Sequence, residues 1–409
     1  MDVVVRKRVQ LVKILEEELV MKKITKIAMV AASALLLTTQ AQAGYSIKKK
    51  QGAQDTKFVV FGFLQLEARG GDGTSGMKDG DASVKFGAQR IRLGTKYIAG
   101  PVRGKLFLDF NKAHNDKSGV GLPDMVKDAF VSYHVNNAFV VKAGLIKTPH
   151  GMSFTIPGWN LDIVERGFDK QLSTERDIGL MISGRAIGDH PNCKEGHKKV
   201  NGFEMGHERP WVGFGYDLMI ANQAGRSGAV TKAKPAEGNA YIGRVMYDYY
   251  EGLHTELSYA ISEKAGGEGT EDYKSLNFGI DSHFGASNVK FEMFRSENLK
   301  GVAGWDENTY ALTGTHYVTD TFELAFKHIQ GTSEKSNVET ELGNTYVGFN
   351  YYIAAFDNKM NRSAKRKRNA HRVQFNYVLA SGDTDGDNKW NGLKGYTDDA
   401  WLAQYQYKF

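Results

Sequence analysis

The chain has 409 residues, 41% of them hydrophobic and 11% aromatic, with a mean hydropathy of −0.43 and a formal charge of +6. Beyond residue 43 no apolar run reaches the length of roughly 18 residues that a spanning helix needs, which excludes transmembrane helices there. The single cysteine, Cys193, excludes an internal disulfide framework and a cysteine-built zinc site, and the charge excess is too slight to argue for nucleic acid.

At the amino end, Lys22-Lys23-Ile24-Thr25-Lys26 forms a positive segment before a short apolar run over 28–37. Ala41-Gln42-Ala43 then offers small residues for cleavage before Gly44, the pattern of a secretory signal peptide. Residues 1–43 are therefore read as a signal peptide, in which 1–20 are an upstream extension and Met21 is the expected start. The run Glu16-Glu17-Glu18 fits translated purine-rich ribosome-binding sequence. A genuine N-terminal extension is the alternative.

Over 44–409 no long helical period occurs; short stretches alternate apolar and polar residues, the period of a strand. Strands are predicted at 57–68, 85–98, 102–110, 126–135, 138–147, 178–186, 211–222 and 239–249. They continue at 252–261, 273–283, 287–296, 308–318, 321–330, 343–356, 371–377 and 401–409, about sixteen in all. Gly 46 against Pro 7, with Tyr 19 and Phe 22, suits glycine-punctuated strands. Connections alternate between tight turns, such as Ala99-Gly100-Pro101 and Thr319-Asp320, and long segments at 70–84, 111–125 and 381–398. Short turns on one rim and long loops on the other are the habit of an antiparallel transmembrane β-barrel, whose lipid face hides in the alternation. Two segments, 187–210 and 357–368, are long where that habit asks for short turns.

The connection at 148–177 is the third on the long-loop rim, and in barrels of this size that loop commonly folds inward. Its charged residues are Asp162, Glu165, Arg166, Asp169 and Lys170, which suit a constriction with a transverse field or an ordinary solvated loop. Glu165-Arg166 is either a constriction pair or a salt bridge that ties the loop to the wall. The chain ends on Trp401-Leu402-Ala403-Gln404-Tyr405-Gln406-Tyr407-Lys408-Phe409, with Trp401, Tyr405, Tyr407 and Phe409 on one face. A greasy strand at the extreme terminus makes sense if it pairs with the first strand and removes the sheet edge. It also resembles the recognition signal of bacterial barrel-assembly substrates.

From Phe86 to about Arg185 the chain resembles the phosphate-selective porin O/P family of outer-membrane channels. The matching pieces are Gln89-Arg90-Ile91-Arg92-Leu93-Gly94, Val126-Lys127-Asp128-Ala129-Phe130-Val131-Ser132-Tyr133 and Gly144-Leu145-Ile146-Lys147-Thr148-Pro149-His150-Gly151. Glu165-Arg166 and Ile178-Gly179-Leu180 follow in order. The resemblance implies a sixteen-stranded homotrimeric porin with an inward third loop, set in Gram-negative outer-membrane lipid and lipopolysaccharide. Arg90, Arg92 and Arg166 would be among its pore-lining arginines.

Alternation points Arg90, Arg92, Lys96, Arg103, Lys105, Lys142, Arg185, Arg244 and Arg372 into the lumen, with Asp109, Asp128, Glu256, Glu292 and Glu323. Rings of Arg and Lys favour anions, and the arginine fork suits phosphate. The plainer reading is that lumenal ions pair across strands and keep the wall wet. The sequence therefore predicts a passive diffusion channel for small hydrophilic solutes and ions with a mild anion preference. A barrel enzyme such as an outer-membrane phospholipase, or a plugged structural or adhesive barrel, are the alternatives. No Gly-x-Ser-x-Gly or comparable pairing is present, so no catalytic residues, cofactor or metal are assigned. Asp383-Thr384-Asp385-Gly386-Asp387 departs from the order of a calcium loop, and His190, Cys193, His197 and His207 match no standard metal spacing. Lys365-Arg366-Lys367-Arg368 is read as a solvated turn facing the periplasm.

Overall fold

Alternation along each segment dictates a pleated ribbon with one apolar and one polar face, and such a ribbon leaves its backbone edges unpaired unless the sheet closes. The computed structural model describes residues 45–51, 54–71, 84–112, 124–187, 213–222, 238–249, 252–264, 268–353, 371–384 and 389–409. The expected signal peptide at 1–43, the histidine group with Cys193, the basic run at 365–368 and the acidic stretch 385–387 lie outside these residues.

In chain order the strands are β1 (Tyr45–Gln51), β2 (Gln54–Gly71), β3 (Lys85–Ala99), β4 (Val102–Asp109), β5 (Val126–His134) and β6 (Val140–Lys147). Then come β7 (Arg176–Ile187), β8 (Gly213–Asn222), β9 (Asn239–Tyr249), β10 (Leu253–Ser262), β11 (Tyr273–Phe284) and β12 (Ser287–Glu297). The last are β13 (Trp305–Tyr317), β14 (Phe322–Lys335), β15 (Val338–Tyr352), β16 (His371–Gly382) and β17 (Ala400–Lys408). From β2 onward each strand pairs antiparallel with its successor, and β17 returns to β2, so the sheet is a closed barrel.

The closure is made at a seam. Strand β2 is long enough to hold two partners on one edge: Ala400 to Lys408 lie opposite Gly71 to Phe63, and Tyr45 to Gln51 lie opposite Val60 to Gln54. β17 and β1 thus share one position, and the seventeen strand segments form a barrel of 16 strands. The expected count holds, but the sequence reading missed β1. Its consecutive Lys48, Lys49 and Lys50 erase the alternation by which the other strands are recognised.

Burial is inverted relative to a water-soluble protein. Outward residues such as Leu218 and Val245 are both 57% exposed, whereas inward Asn277 and Gln406 are fully buried. The outside is a lipid-facing surface, and the interior is the polar side. Long connections follow β2, β4, β6, β8 and β16 on one rim, as expected. A tight hairpin joins β14 to β15 on that same rim, where the sequence reading left 331–342 outside strands. Ser336 (φ 56) and Asn337 (φ 61) form its two-residue turn, with the left-handed pair of dihedrals that a type I′ connection requires.

Two outward aromatics, Trp401 of β17 and Phe409 just beyond its end, cover glycines of β2. A Cβ at Gly62 would lie 2.6 Å from the Phe409 ring, and one at Gly70 would collide with the Trp401 indole. Phe409 and Gly62 also exchange both backbone hydrogen bonds at 3.1 Å. Tyr405 reaches His371 Nδ1 at 3.2 Å, and Tyr407 packs between His371 and Phe409. Coverage of a glycine by a ring restores apolar contact where a side chain is missing. Phe409→Ala is therefore expected to cost about 1–2 kcal/mol of barrel stability. The urea midpoint of the refolded protein in detergent should fall clearly below that of Tyr310→Ala, which truncates an outward ring away from the seam.

Candidate pore and its lining

The third loop, residues 148–175, turns into the barrel and lies against the inner wall of β10–β17. Backbone groups taken out of water need partners, and that wall is rich in side chains able to supply them. From that wall Arg372 Nη1 donates to the Leu161 carbonyl at 2.9 Å and Asn350 Nδ2 to the Asp162 carbonyl at 2.9 Å, and across the seam Gln65 Nε2 of β2 donates to the Gly158 carbonyl at 3.0 Å. The Val164 amide donates to Asn376 Oδ1 at 2.8 Å, and the Ser153 amide to both Glu292 oxygens at 3.0 and 3.1 Å. Two lysines act as latches: Lys290 binds Asp162, and Lys327 binds Asp169 at 2.9 Å and the Arg166 carbonyl at 2.6 Å. A short helix, α1 (Met152–Thr155), and a 3-10 turn (Phe168–Leu172) shape the loop. Ile163, Val164 and Phe168 complete the docking in an apolar cluster with Ile329, Leu342, Tyr346, Val378 and Leu402.

What stays open is the space between this loop and β2–β9, a cavity of about 1000 Å³. Arg90, Arg92, Lys96, Arg103, Lys105, Lys142 and Arg185 all line it. So do Lys127, Lys147, Arg176 and Arg244 from the wall, and Glu165, Arg166 and Lys170 from the loop. Acid partners are fewer. Asp109 accepts Arg92 Nε at 2.9 Å, and Asp128 takes Lys105 together with Arg176 Nε at 2.8 Å. Asp217 holds Arg185 at 2.9 Å and Arg244 at 2.7 Å. Three aspartates thus serve five cations.

Arg90 differs from these. It is 8% exposed, yet its Nη1 donates to two neutral amide oxygens, Gln65 Oε1 at 2.6 Å and Gln89 Oε1. A register shift between Gln65 and Leu66 places Gln65 opposite Arg90 and Leu66 opposite Ala88, so Gln89 is the extra residue of a bulge and also lines the lumen. A strict period of two counted from Arg90 and Arg92 would place Gln89 on the outer face. Gly158 packs on the guanidinium from the loop, where a Cβ would come within 3.2 Å of Arg90 Nε.

On the loop, burial and then the nearby charges of Arg92 and Arg176 pull the Arg166 guanidinium down to about 9. Its Nε donates to Ser153 O at 2.9 Å and its Nη2 to Ile156 O, bonds that brace the loop internally. Burial raises the Glu165 carboxyl, which accepts the Tyr346 hydroxyl at 3.3 Å. Burial opposes the ionised form of Glu175 too, but Lys170 and Arg176 outweigh it and hold that carboxyl at about 2.

The structure divides the five loop residues proposed for a constriction. Glu165, Arg166 and Lys170 face the open space, whereas Asp162 and Asp169 are turned to the wall lysines. Among the other lumenal residues, Arg372 is 2% exposed and binds loop carbonyls. Glu323 accepts Asn350 and the Tyr352 hydroxyl, and Glu256 accepts Arg244 and bonds to His254. Lys127, Lys147 and Arg176 were absent from the sequence-based lining. The last two flank the ends of the loop, and that position was the available signal.

No known family model matches the chain, and no curated protein matches it in sequence. Among solved structures, an anion-selective porin from Comamonas acidovorans is similar, with a TM-score of 0.55 and 14% identity over 87% of this chain and 100% of that one. OmpF of Salmonella typhi, in complex with daunomycin, gives 0.57 and 12% over 89% and 100%. OmpT, an outer membrane protein of Vibrio cholerae in its trimer form, gives 0.53 and 13% over 90% and 100%. At such identities the likeness is one of fold: this chain has the barrel of the porins.

The latches carry a prediction. Lys327→Met leaves the buried Asp169 carboxylate without its ion pair, a loss of about 3 kcal/mol. The third loop should then become susceptible to added protease while the barrel keeps its heat-shifted electrophoretic mobility. Because the Glu175 carboxyl is held at about 2, its contribution to the Lys170 ion pair is present above the ordinary carboxyl pKa and is lost as pH falls through about 2. The Glu175→Gln effect on loop protection should therefore be the same at pH 7 and pH 5.

Proposed function

We propose that this chain is a porin of the bacterial outer membrane, a passive diffusion channel for small hydrophilic solutes and ions in which anions are favoured. The observation that carries the reading is the cation-rich lining of the open half of the lumen. Arg90, Arg92, Lys96, Arg103, Lys105, Lys142 and Arg185 form its core, with Arg166 and Lys170 facing them from the loop. Such a wall replaces part of an anion's hydration with N–H donors and repels cations.

The similar solved structure described as an anion-selective porin supports the same direction. A preference for phosphate is the narrower form of the proposal, supported by Arg90, Arg92 and Arg166, whose charges act on one another within one space. The barrel type and the trimer described for Vibrio cholerae OmpT support a homotrimer. Removal of residues 1–43 on export and delivery to the barrel-assembly machinery through Trp401, Tyr405, Tyr407 and Phe409 complete the proposal. No reaction step is assigned to any residue.

The test is the zero-current potential of purified protein in a planar bilayer across a salt gradient. Arg90→Gln with Arg92→Gln should lower the anion-to-cation permeability ratio about fivefold, the equivalent of ~1 kcal/mol. An unchanged potential in a correctly folded double variant would remove the anion reading. Bilayer silence of the wild type would favour a plugged barrel. Phosphate added to chloride should reduce the conductance if these arginines hold phosphate longer than chloride; indifference leaves a general porin.

A further inference from the structure

Arg90 sits where charge alone would not keep it. Two other guanidinium groups, Arg92 and Arg166, act on it and repel it, and the acids that act on it most are Asp109 and Glu165. Asp109 already takes Arg92 Nε at 2.9 Å, and Glu165 accepts the Tyr346 hydroxyl at 3.3 Å. An arginine with rotamer freedom would swing away from its like neighbours and toward one of these carboxylates. There its charge would be cancelled. Among the described residues, the side chains bonded to Arg90 are instead two neutral amides, Gln65 and Gln89.

The seam of the barrel supplies these amides. Gln65 is fully buried and stands opposite Arg90 on one side and opposite Gln406 on the other. Its Oε1 accepts Arg90 Nη1 at 2.6 Å. Its Nε2 donates to Gln406 Oε1 at 2.6 Å and to the Gly158 carbonyl of the third loop at 3.0 Å. Both ends of the amide are engaged, so a flip would set donor against donor and acceptor against acceptor. The bulge adds the second holder: Gln89 Oε1 accepts the same Nη1 and also Gln404 Nε2 at 3.1 Å.

The chain of amides continues to the loop. Gln406 Nε2 donates to the Trp159 carbonyl at 3.2 Å and Gln404 Nε2 to the Val164 carbonyl at 3.5 Å. Gly158 lies on the guanidinium, where a Cβ would come within 3.2 Å of Nε. With Nη1 engaged and Gly158 against Nε, Nη2 is the remaining nitrogen of the fork, on a residue that lines the cavity. A carboxylate at position 65 would bind Arg90 too, but it would neutralise it and could not donate to Gly158 or Gln406.

We propose that Gln65 and Gln89 are positioning residues for the anion preference: they keep Arg90 from Asp109 and Glu165, and Gln65 ties the same guanidinium to Gly158 of the third loop. One amide thereby sets the wall and the loop against each other where the passage is lined. This rests on the anion-favouring pore proposed above.

The experiment uses the full barrel, with closure checked by heat-shifted mobility. Gln65→Met with Gln89→Met keeps side-chain length and removes both acceptors, whereas Gln89→Met alone leaves the bond to Gly158 in place. Each is made in the wild type and in Arg90→Gln. In a salt gradient the double variant should lower the anion-to-cation permeability ratio about twofold, and Gln89→Met should lower it by less. In the Arg90→Gln background neither should lower it further, because amides that act through Arg90 have nothing left to hold. A displaced loop would instead lower the ratio in both backgrounds. The rate at which a water-soluble arginine-specific dicarbonyl modifies Arg90, read by mass spectrometry, should rise in both amide variants. A folded double variant with the wild-type potential overturns the proposal, as does an equal fall in the two backgrounds. Should the double variant fail to close, Gln89→Met decides by the same criteria. A wild-type barrel without anion preference overturns the pore reading instead. The positioning role is then judged by the reactivity of Arg90, which needs no conduction, and an unchanged rate overturns it.

Discussion

Every backbone N–H and C=O that faces hydrocarbon needs a partner within the protein, because lipid offers none. That requirement forces the sheet to close, and closure fixes the rest. It places Phe409 against Gly62, sends β17 and β1 along one edge of β2, and makes each strand present one face to lipid and the other to a confined interior. An apolar exterior with residues such as Leu218 and Val245 exposed is then a consequence, since the hydrophobic effect that buries such residues in water has no purchase against lipid tails. The polar interior is what remains for the chain to organise.

Interior organisation turns on the third loop. Its own carbonyls and amides must also be satisfied once it leaves water, and the wall of β10–β17 answers with Asn350, Arg372, Gln374 and Asn376. Acids that look lumenal in the alternation are engaged in the same way, Glu292 by the Ser153 amide and Glu323 by Asn350 and Tyr352. The cations of β2–β7 stay on the far side of the loop. Separation of charge across the lumen is therefore a result of docking: the loop covers the side where acids and amides concentrate and leaves uncovered the side where cations do.

Strand positions were legible because the barrel enforces a period of two over most of its wall. In β4 Arg103, Lys105 and Phe107 line the cavity, and in β16 Arg372, Gln374 and Asn376 are buried while Val373, Phe375 and Tyr377 are more exposed, as alternation requires. Legibility failed where another constraint replaced alternation. β1 carries three adjacent lysines, and the β14–β15 hairpin runs into polar sequence whose turn is set by the dihedrals of Ser336 and Asn337. The bulge that brings Gln89 into the lumen is invisible to any fixed period. Asp162 and Asp169 could be placed on the loop from sequence, but not turned toward Lys290 and Lys327, since those lysines come from strands more than a hundred residues away.

The distribution of holders along the wall also argues about what the interior is for. A wall that only needed to be wet could pair each cation with an acid at little cost, as Asp217 does for Arg185 and Arg244. Instead Arg90 is buried on neutral amides of Gln65 and Gln89, and Lys96 stands directly across from Lys105, a like-charge cross-strand pair. Each of these choices costs stability relative to a paired alternative. They fall on adjacent strands, β2 to β4, opposite Arg166 of the docked loop. Local departures from the best-paired arrangement, concentrated where the passage is lined, are the mark of a surface shaped by what passes it.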